Sequence, residues 1–196
     1  MTAGRMVVVA VVAMALSACA ASRQRADEAL KDAENAITAQ HADAMRFAPE
    51  AFAAVMESYG AARAAYKKED WAGAIAAAEN TAARARQMAP AIAGGKEQAT
   101  ARWPVLHDSV SAMLSALDAR LADAERTRRV PPGMTAANLG LARAQVDTLR
   151  TGLDQAAAAF GRGDLADALH AAERIQMQAG SLMASVGLRP SNPHGM

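Results

Sequence analysis

Apolar side chains follow one another at spacings of three and four residues, and this regularity constrains the fold more than any other feature. Between residues 139 and 160 the spacing has no exception, at Leu139, Ala142, Val146, Leu149, Leu153, Ala156 and Phe160. Such spacing places the apolar groups on one face of an α-helix. Alanine, the best helix former, is abundant, and aromatic residues make up only 4% of the chain. The pattern predicts an all-α protein.

The first half contains three such segments. The first runs from Ala26 to Ala44, and the pattern resumes after Pro49 and continues to Tyr66. The third segment covers residues 71–88, and Asp70 before it is a suitable N-cap. Pro90 and the pair Gly94-Gly95 follow, and residues of these types predict a break in the helical structure.

The second half shows the same plan. Pro104 suits the first position of a fourth helix, which extends to Leu121. The segment RRVPPGMT (128–135) predicts a turn, and its last residue, Thr135, is a candidate N-cap for the fifth helix. Asp164 has the same position before the sixth helix, which continues to Val186.

An internal repeat relates the two halves. The segment AAYKKEDWAGAIAAAE (64–79) aligns with AAFGRGDLADALHAAE (158–173), so that Asp70 matches Asp164 and Glu79 matches Glu173. Helical periodicity alone would not align the capping Asp and the Glu. We therefore predict two tandem three-helix units, 26–95 and 96–188, forming a bundle or a short α-solenoid, followed by a disordered tail at 189–196.

The amino-terminal segment has the organisation of a secretory signal peptide. Arg5 precedes the uncharged run MVVVAVVAMAL (6–16), which as a helix would span about 16 Å, roughly half of a bilayer core. A positive start, a short apolar stretch and small residues after it predict a signal peptide at 1–18.

The residues that close this segment are more specific. Leu16, Ser17, Ala18 and Cys19 resemble the lipobox of bacterial lipoproteins. The resemblance implies that Cys19, the single cysteine of the chain, receives a diacylglyceryl group, becomes the first residue after cleavage and is acylated on its new amino terminus. Because Ala20 rather than Asp follows it, the resemblance implies the outer membrane, facing the periplasm. The alternative is an ordinary buried cysteine after a plain signal peptide.

A short segment separates this anchor from the first predicted helix. Residues 19–25 then form a lipidated tether, and the six residues before Ala26 reach at most about 20 Å when extended. The helical domain is therefore expected close to the membrane.

Two further resemblances concern the helical part. The second corner contains a small residue, an aromatic residue and the pattern GD-L-x-x-A-L. It is similar to the turn between the two helices of a tetratricopeptide repeat. The matching positions are Ala156, Gly163, Asp164, Leu165, Ala168 and Leu169. The period differs from the 34 residues of that family. The chain also resembles Ala-rich helical lipoprotein domains of bacterial envelopes, whose function is unassigned.

Charge and motif content favour a binding protein over an enzyme. Loss of residues 1–18 removes one cation, Arg5, and leaves 20 Lys and Arg against 20 Asp and Glu, so that no basic surface for nucleic acid is indicated. There is no HExxH, CxxCH, phosphate-binding loop or nucleophile elbow. We predict no catalytic residue, metal or cofactor. The expected function is a lipid-anchored periplasmic scaffold or adaptor that binds another cell-envelope component without catalysis, and the expected partners are the membrane, through the anchor, and an envelope protein.

The alternative function is a helical-bundle carrier of a ligand, haem or metal. His170 and Met177 are seven residues apart and share a helix face, and the corresponding hypothesis is a periplasmic bundle that ligates haem through Met and His. The competing interpretation is that methionine fills gaps in a core of small residues.

Three groups of bulky or charged side chains have a structural interpretation, and two of them also have a functional one. The aromatics Tyr59, Tyr66, Trp71 and Trp103 are expected to fill the helix corners, or else to line a peptide groove. The acids Asp27, Glu28, Asp32 and Glu34 would complement the dipole of the first helix. The arginines Arg126, Arg128 and Arg129 would do so at the end of the fourth, or else contact lipid headgroups or an anionic polymer.

Overall fold

The structure is a computed structural model. It describes the backbone of residues 3–129 and 135–188, and the side chains within these ranges from residue 20 onwards, apart from residue 136. The described residues form six helices and no strand: α1 (Ala3–Phe47), α2 (Pro49–Lys67), α3 (Trp71–Arg86), α4 (Ala89–Thr127), α5 (Ala136–Gly161) and α6 (Leu165–Ser185). The all-α prediction is confirmed. The predicted tail at 189–196 and most of the predicted turn at 128–135 lie outside the described residues.

The chain divides into two compact units, Met1–Gly95 and Lys96–Met196. In the first unit α1, α2 and α3 pack against one another in all three pairs. Its buried residues are mainly alanines, with a few larger side chains, Ile37, Val55, Met88 and Ile92. Side chains this small allow helix axes to approach closely. Thr81 is also fully buried, and its hydroxyl donates to the carbonyl of Ala77 at 2.8 Å.

The second unit has a core of larger side chains. Its buried residues from α4 and α5 include Val110, Leu114, Leu117, Leu121, Val146, Leu149 and Leu153. α5 packs directly against α6, whose apolar face buries Leu169, Ile175 and Leu182 among others. α4 contacts both of these helices through ion pairs, from Arg102 to α6 and from Asp118 to α5.

The two corners of the internal repeat have the same backbone hydrogen bonds. At the first corner the amide of Glu69 donates to the carbonyl of Tyr66 and the amide of Asp70 to that of Ala65; at the second, Gly163 and Asp164 make the equivalent bonds. This pair of bonds is the Schellman arrangement, in which the chain leaves a helix through a residue of positive φ. That residue is Glu69 (φ 61°) at the first corner and Gly163 (φ 90°) at the second. The repeat inferred from the sequence is thus a repeat of local structure.

Two of the three predicted capping residues accept the expected hydrogen bond from a helix amide. Asp70 accepts a hydrogen bond from the amide of Gly73 at 3.0 Å, and Thr135 accepts one from the amide of Asn138 at 3.2 Å, which confirms both caps. Asp164 is the N-cap residue of α6, as predicted, but its side chain accepts no bond from the described amides of that helix. Its carboxylate instead lies 3.4 Å from the guanidinium of Arg162.

The predicted break at residues 90–104 is wrong. α4 is continuous from Ala89 to Thr127, and Pro104 lies inside it rather than at its start. Pro90 is the second residue of α4, where a missing amide costs no helical hydrogen bond. Pro104 and the residue four positions earlier, Thr100, are both exposed, so that the carbonyl left without its helical donor can be hydrated.

The glycine pair has a packing role instead of a turn role. A Cβ on Gly95 would overlap the carbonyl group of Phe47 at the end of α1, whereas no described atom lies within 4 Å of a Cβ on Gly94. Gly95 therefore permits close approach between α4 and the end of α1. The actual interruption comes earlier, at Gln87 and Met88 between α3 and α4.

Candidate functional site

Cys19 lies within α1, and its side chain is outside the described part of the chain. The expected tether at 19–25 is helical, because α1 already includes these residues and the first predicted helix does not begin at Ala26. Seven helical steps advance about 10 Å, half of the extended estimate. The position of Cys19 is therefore linked to the first unit by a short, regular segment.

The corner between α2 and α3 packs against this end of α1. The hydroxyl of Tyr66 donates to the carboxylate of Asp27 at 2.5 Å, although the two residues are 39 positions apart. The ring of Tyr66 meets the indole of Trp71 edge to face, with centroids 5.0 Å apart. A hydrogen bond with Tyr66, together with the nearby carboxylate of Asp27, raises the pKa of the Arg23 guanidinium. We call this group, Arg23, Asp27, Tyr66, Lys67, Lys68 and Trp71, the α2–α3 corner cluster.

The acidic residues near the start of the domain do not complement a helix dipole as expected. α1 has no acidic residue in its first turn, because it begins well before Asp27. Three of these acids have side-chain partners among the described residues, and one of these, Asp27, accepts the hydroxyl of Tyr66. Asp32 pairs with Arg86 of α3 at 2.8 Å, and Glu28 accepts a hydrogen bond from Gln24 at 3.0 Å.

The arginines at the end of α4 are exposed. Arg126 pairs with Asp123 at 2.6 Å, and Arg128 has a positive φ of 54° where the helix ends. The amide of Arg129 donates to the carbonyl of Ala124, which completes the helix end. These contacts are those of a helix terminus and agree with the structural interpretation of the three arginines.

The second unit contains a groove between α5 and α6 with a volume of about 330 Å³. Small residues lie along it, among them Gly152, Ala156 and Ala171, with Asp167 and Arg174 also in its lining. The first unit has a groove of about 400 Å³ beside Val55 and Met88.

Ion pairs and aromatic stacking connect the helices within the second unit. Arg102 of α4 pairs with Glu173 of α6 at 2.7 Å. Arg150 of α5 pairs with Asp118 of α4, and this hydrogen bond raises the pKa of Arg150.

Trp103 is buried within the second unit. It is 8% exposed and stacks on Phe160 at 4.8 Å between centroids, with an angle of 11° between the rings. The other aromatics of the predicted group, Tyr59, Tyr66 and Trp71, are half-buried. Tyr66 and Trp71 fill the α2–α3 corner, which agrees with the prediction that these aromatics fill helix corners.

The residues considered for haem binding face outwards. His170 is exposed and Met177 is 66% exposed. Among the side chains that the structure describes, no three His, Cys, Asp or Glu residues form a group able to hold a metal ion.

The contacts of the α2–α3 corner cluster could not be inferred from the sequence. Tyr66 and Asp27 lie in different helices, and each belongs to a pattern that the sequence explained locally. The pairing depends on the angle and register at which α2 and α1 pack, which no local motif encodes.

No protein-family model, no curated protein and no solved structure matches this chain. In the portion whose side chains are described, none of the helices combines the length and apolar character needed to cross a bilayer.

Proposed function

We propose that the chain is a lipid-anchored helical scaffold or adaptor of the bacterial cell envelope, attached through Cys19 and binding another envelope protein. The observation that carries the proposal is the sequence LSAC at the end of an uncharged apolar run. In this proposal residues 1–18 are the cleaved signal peptide. Cys19 is then the acylated first residue, and two or more acyl chains are enough for stable attachment to a membrane.

The course of α1 supports this role. α1 passes through Cys19 and continues into the alanine-rich core of the first unit, where Ala26, Ala33 and Ala44 are fully buried. An anchor at Cys19 would therefore hold the folded unit directly, with no long linker between lipid and core. Ala20 at the second mature position is the basis for assigning the protein to the outer membrane, facing the periplasm.

The binding part of the proposal is supported by surface chemistry. The groove between α5 and α6 has small residues along it and charged groups, Asp167 and Arg174, in its lining. A surface of this kind is suited to the side of a helix or an extended peptide rather than to a reacting small molecule. We therefore propose protein binding without catalysis.

The experiment that tests the anchor is intact-mass analysis of the protein purified from membranes, beside the variant Cys19→Ser. The expected native mass is that of residues 19–196 with acyl groups added. The variant should retain the uncleaved segment and lack the acyl mass. An unmodified thiol on a protein found in the soluble fraction would refute the proposal.

Photo-crosslinking tests the adaptor function. A photoreactive residue at Gln155, in the groove, should give a discrete protein adduct in intact cells. The same residue at Ala184, exposed on α6 and outside the groove lining, serves as the control. Identical adducts at both positions, or adducts with lipid alone, would argue against a groove-binding adaptor.

A further inference from the structure

We propose that the α2–α3 corner cluster rests on the phospholipid headgroup layer of the membrane that holds the anchor, so that the first unit has a fixed orientation on the bilayer. This inference builds on the proposed lipid anchor at Cys19. It adds a second contact with the membrane, made by the folded domain itself.

The first argument is distance. The cluster meets α1 at Arg23 and Asp27, which are four and eight residues beyond Cys19. Along a helix these separations correspond to about 6 and 12 Å. The headgroup layer of one leaflet is about 5–8 Å thick. An acylated residue 19 at the boundary of the hydrocarbon region would therefore place Arg23 at the level of the headgroups, and Asp27 with Tyr66 at their outer edge.

The second argument is side-chain chemistry. Tyr66 and Trp71 are half-buried, and amphipathic aromatic rings of this kind are enriched at the membrane–water interface. Lys67 and Lys68 are exposed, and neither forms an ion pair with another described residue. Lysines near an anionic surface are attracted to it.

The charge of Arg23 is largely balanced by its neighbours. It lies beside Asp27 and feels the carboxylate of Glu69. The positive charges of Arg23, Lys67 and Lys68 are matched by the negative charges of Asp27, Glu69 and Asp70. The corner is therefore formally neutral, and its contact with lipid depends on the anchor. The two lysines adjust the strength of the contact. We accordingly expect the corner to meet the bilayer in the acylated protein and not to recruit an unacylated chain.

The experiment uses the acylated full chain in vesicles. Since Cys19 is the single cysteine and its sulfur is acylated in the proposed form, an introduced cysteine can be labelled selectively. A fluorophore is attached at Ala72→Cys, exposed at the start of α3 beside Trp71, or at Met45→Cys, which is 54% exposed near the far end of α1. Met45 is about 39 Å along the helix from residue 19.

Headgroup-attached quenchers are expected to reduce the emission of the Ala72 label by about a factor of two more than that of the Met45 label, since only the former would lie in the headgroup layer. In vesicles containing anionic lipid, adding Lys67→Glu and Lys68→Glu should reduce this difference while flotation with vesicles is unchanged. Circular dichroism of each variant checks that the helices are retained.

Equal quenching at the two positions in a protein that floats with vesicles would overturn the inference and leave the anchor intact. Protection of the Ala72 label from aqueous iodide without quenching by lipid would also overturn it, because a second copy of the chain, rather than lipid, would then cover the corner. A mass without acyl groups would refute the proposed anchor and this inference together. The intact mass thus separates the two kinds of failure.

Discussion

Replacing Gly94 and Gly95 separately by alanine tests whether α4 is continuous and how closely it approaches α1. Both residues are within α4, so each substitution gains the same helix propensity, about 1 kcal/mol. The two sites differ in their surroundings. A methyl group at Gly94 meets no described atom within 4 Å, whereas at Gly95 it overlaps the carbonyl carbon and oxygen of Phe47.

The overlap at Gly95 cannot be relieved by rotating a side chain, because two of the three atoms met are backbone atoms. Either α4 or the end of α1 must move, at a cost of about 1–3 kcal/mol for overpacking. Gly94→Ala should therefore stabilise the protein by about 1 kcal/mol, and Gly95→Ala should range from neutral to about 2 kcal/mol destabilising. The propensity gain cancels in the difference between the variants, which measures the packing cost.

Urea and thermal unfolding, followed by circular dichroism at 222 nm, would measure both variants against the native chain. For a unit of this size, 1 kcal/mol corresponds to a shift in Tm of roughly 4–8 °C. Equal stabilisation by both substitutions would refute the close approach to Phe47. Destabilisation by Gly94→Ala would refute the continuous helix and favour the break that the sequence suggests.

Three further predictions concern the helix corners. Glu69→Gly should raise the free energy of unfolding by about 0.5–1 kcal/mol, because glycine tolerates the positive φ at this position, and Gly163→Ala should lower it by a similar amount; effects of the opposite sign in urea titrations would contradict the Schellman geometry. Asp70→Ala should cost about 1 kcal/mol through loss of its cap, and Asp164→Ala clearly less, so equal losses of Tm would show that the two residues cap alike. Ala168→Leu should cost about 1–3 kcal/mol by overpacking at a fully buried site, and an unchanged melting curve would show that space exists there.

Much of the helical structure could be predicted from the sequence because it depends on local rules. Pro49 begins α2 because it lacks the amide needed to continue α1. Asp70 and Thr135 cap their helices through bonds to amides three residues away. The repeated corner could be recognised because its residues fix its backbone without help from distant parts of the chain.

The same local rules led to errors elsewhere in the chain. Gly94-Gly95 and Pro104 are common in breaks, yet α4 continues through them. The sequence alone suggests that Asp27 lies in the first turn of a helix and complements its dipole. In the structure Asp27 accepts a hydrogen bond from the hydroxyl of Tyr66. The groove between α5 and α6 could not be predicted from the sequence, since it exists only after the two helices have packed.

The sequence by itself determined the helix type, most helix ends, the repeated corner and the lipobox-like segment at Cys19, because each is encoded by residues within a few positions of one another. The tertiary structure alone decided that α4 is uninterrupted, that Gly95 lies against the backbone of Phe47, and that Tyr66 reaches Asp27 close to the position of the anchor. These depend on the distance and register between helices far apart in the chain. Packing sets both quantities, and the periodicity of a single helix does not contain them.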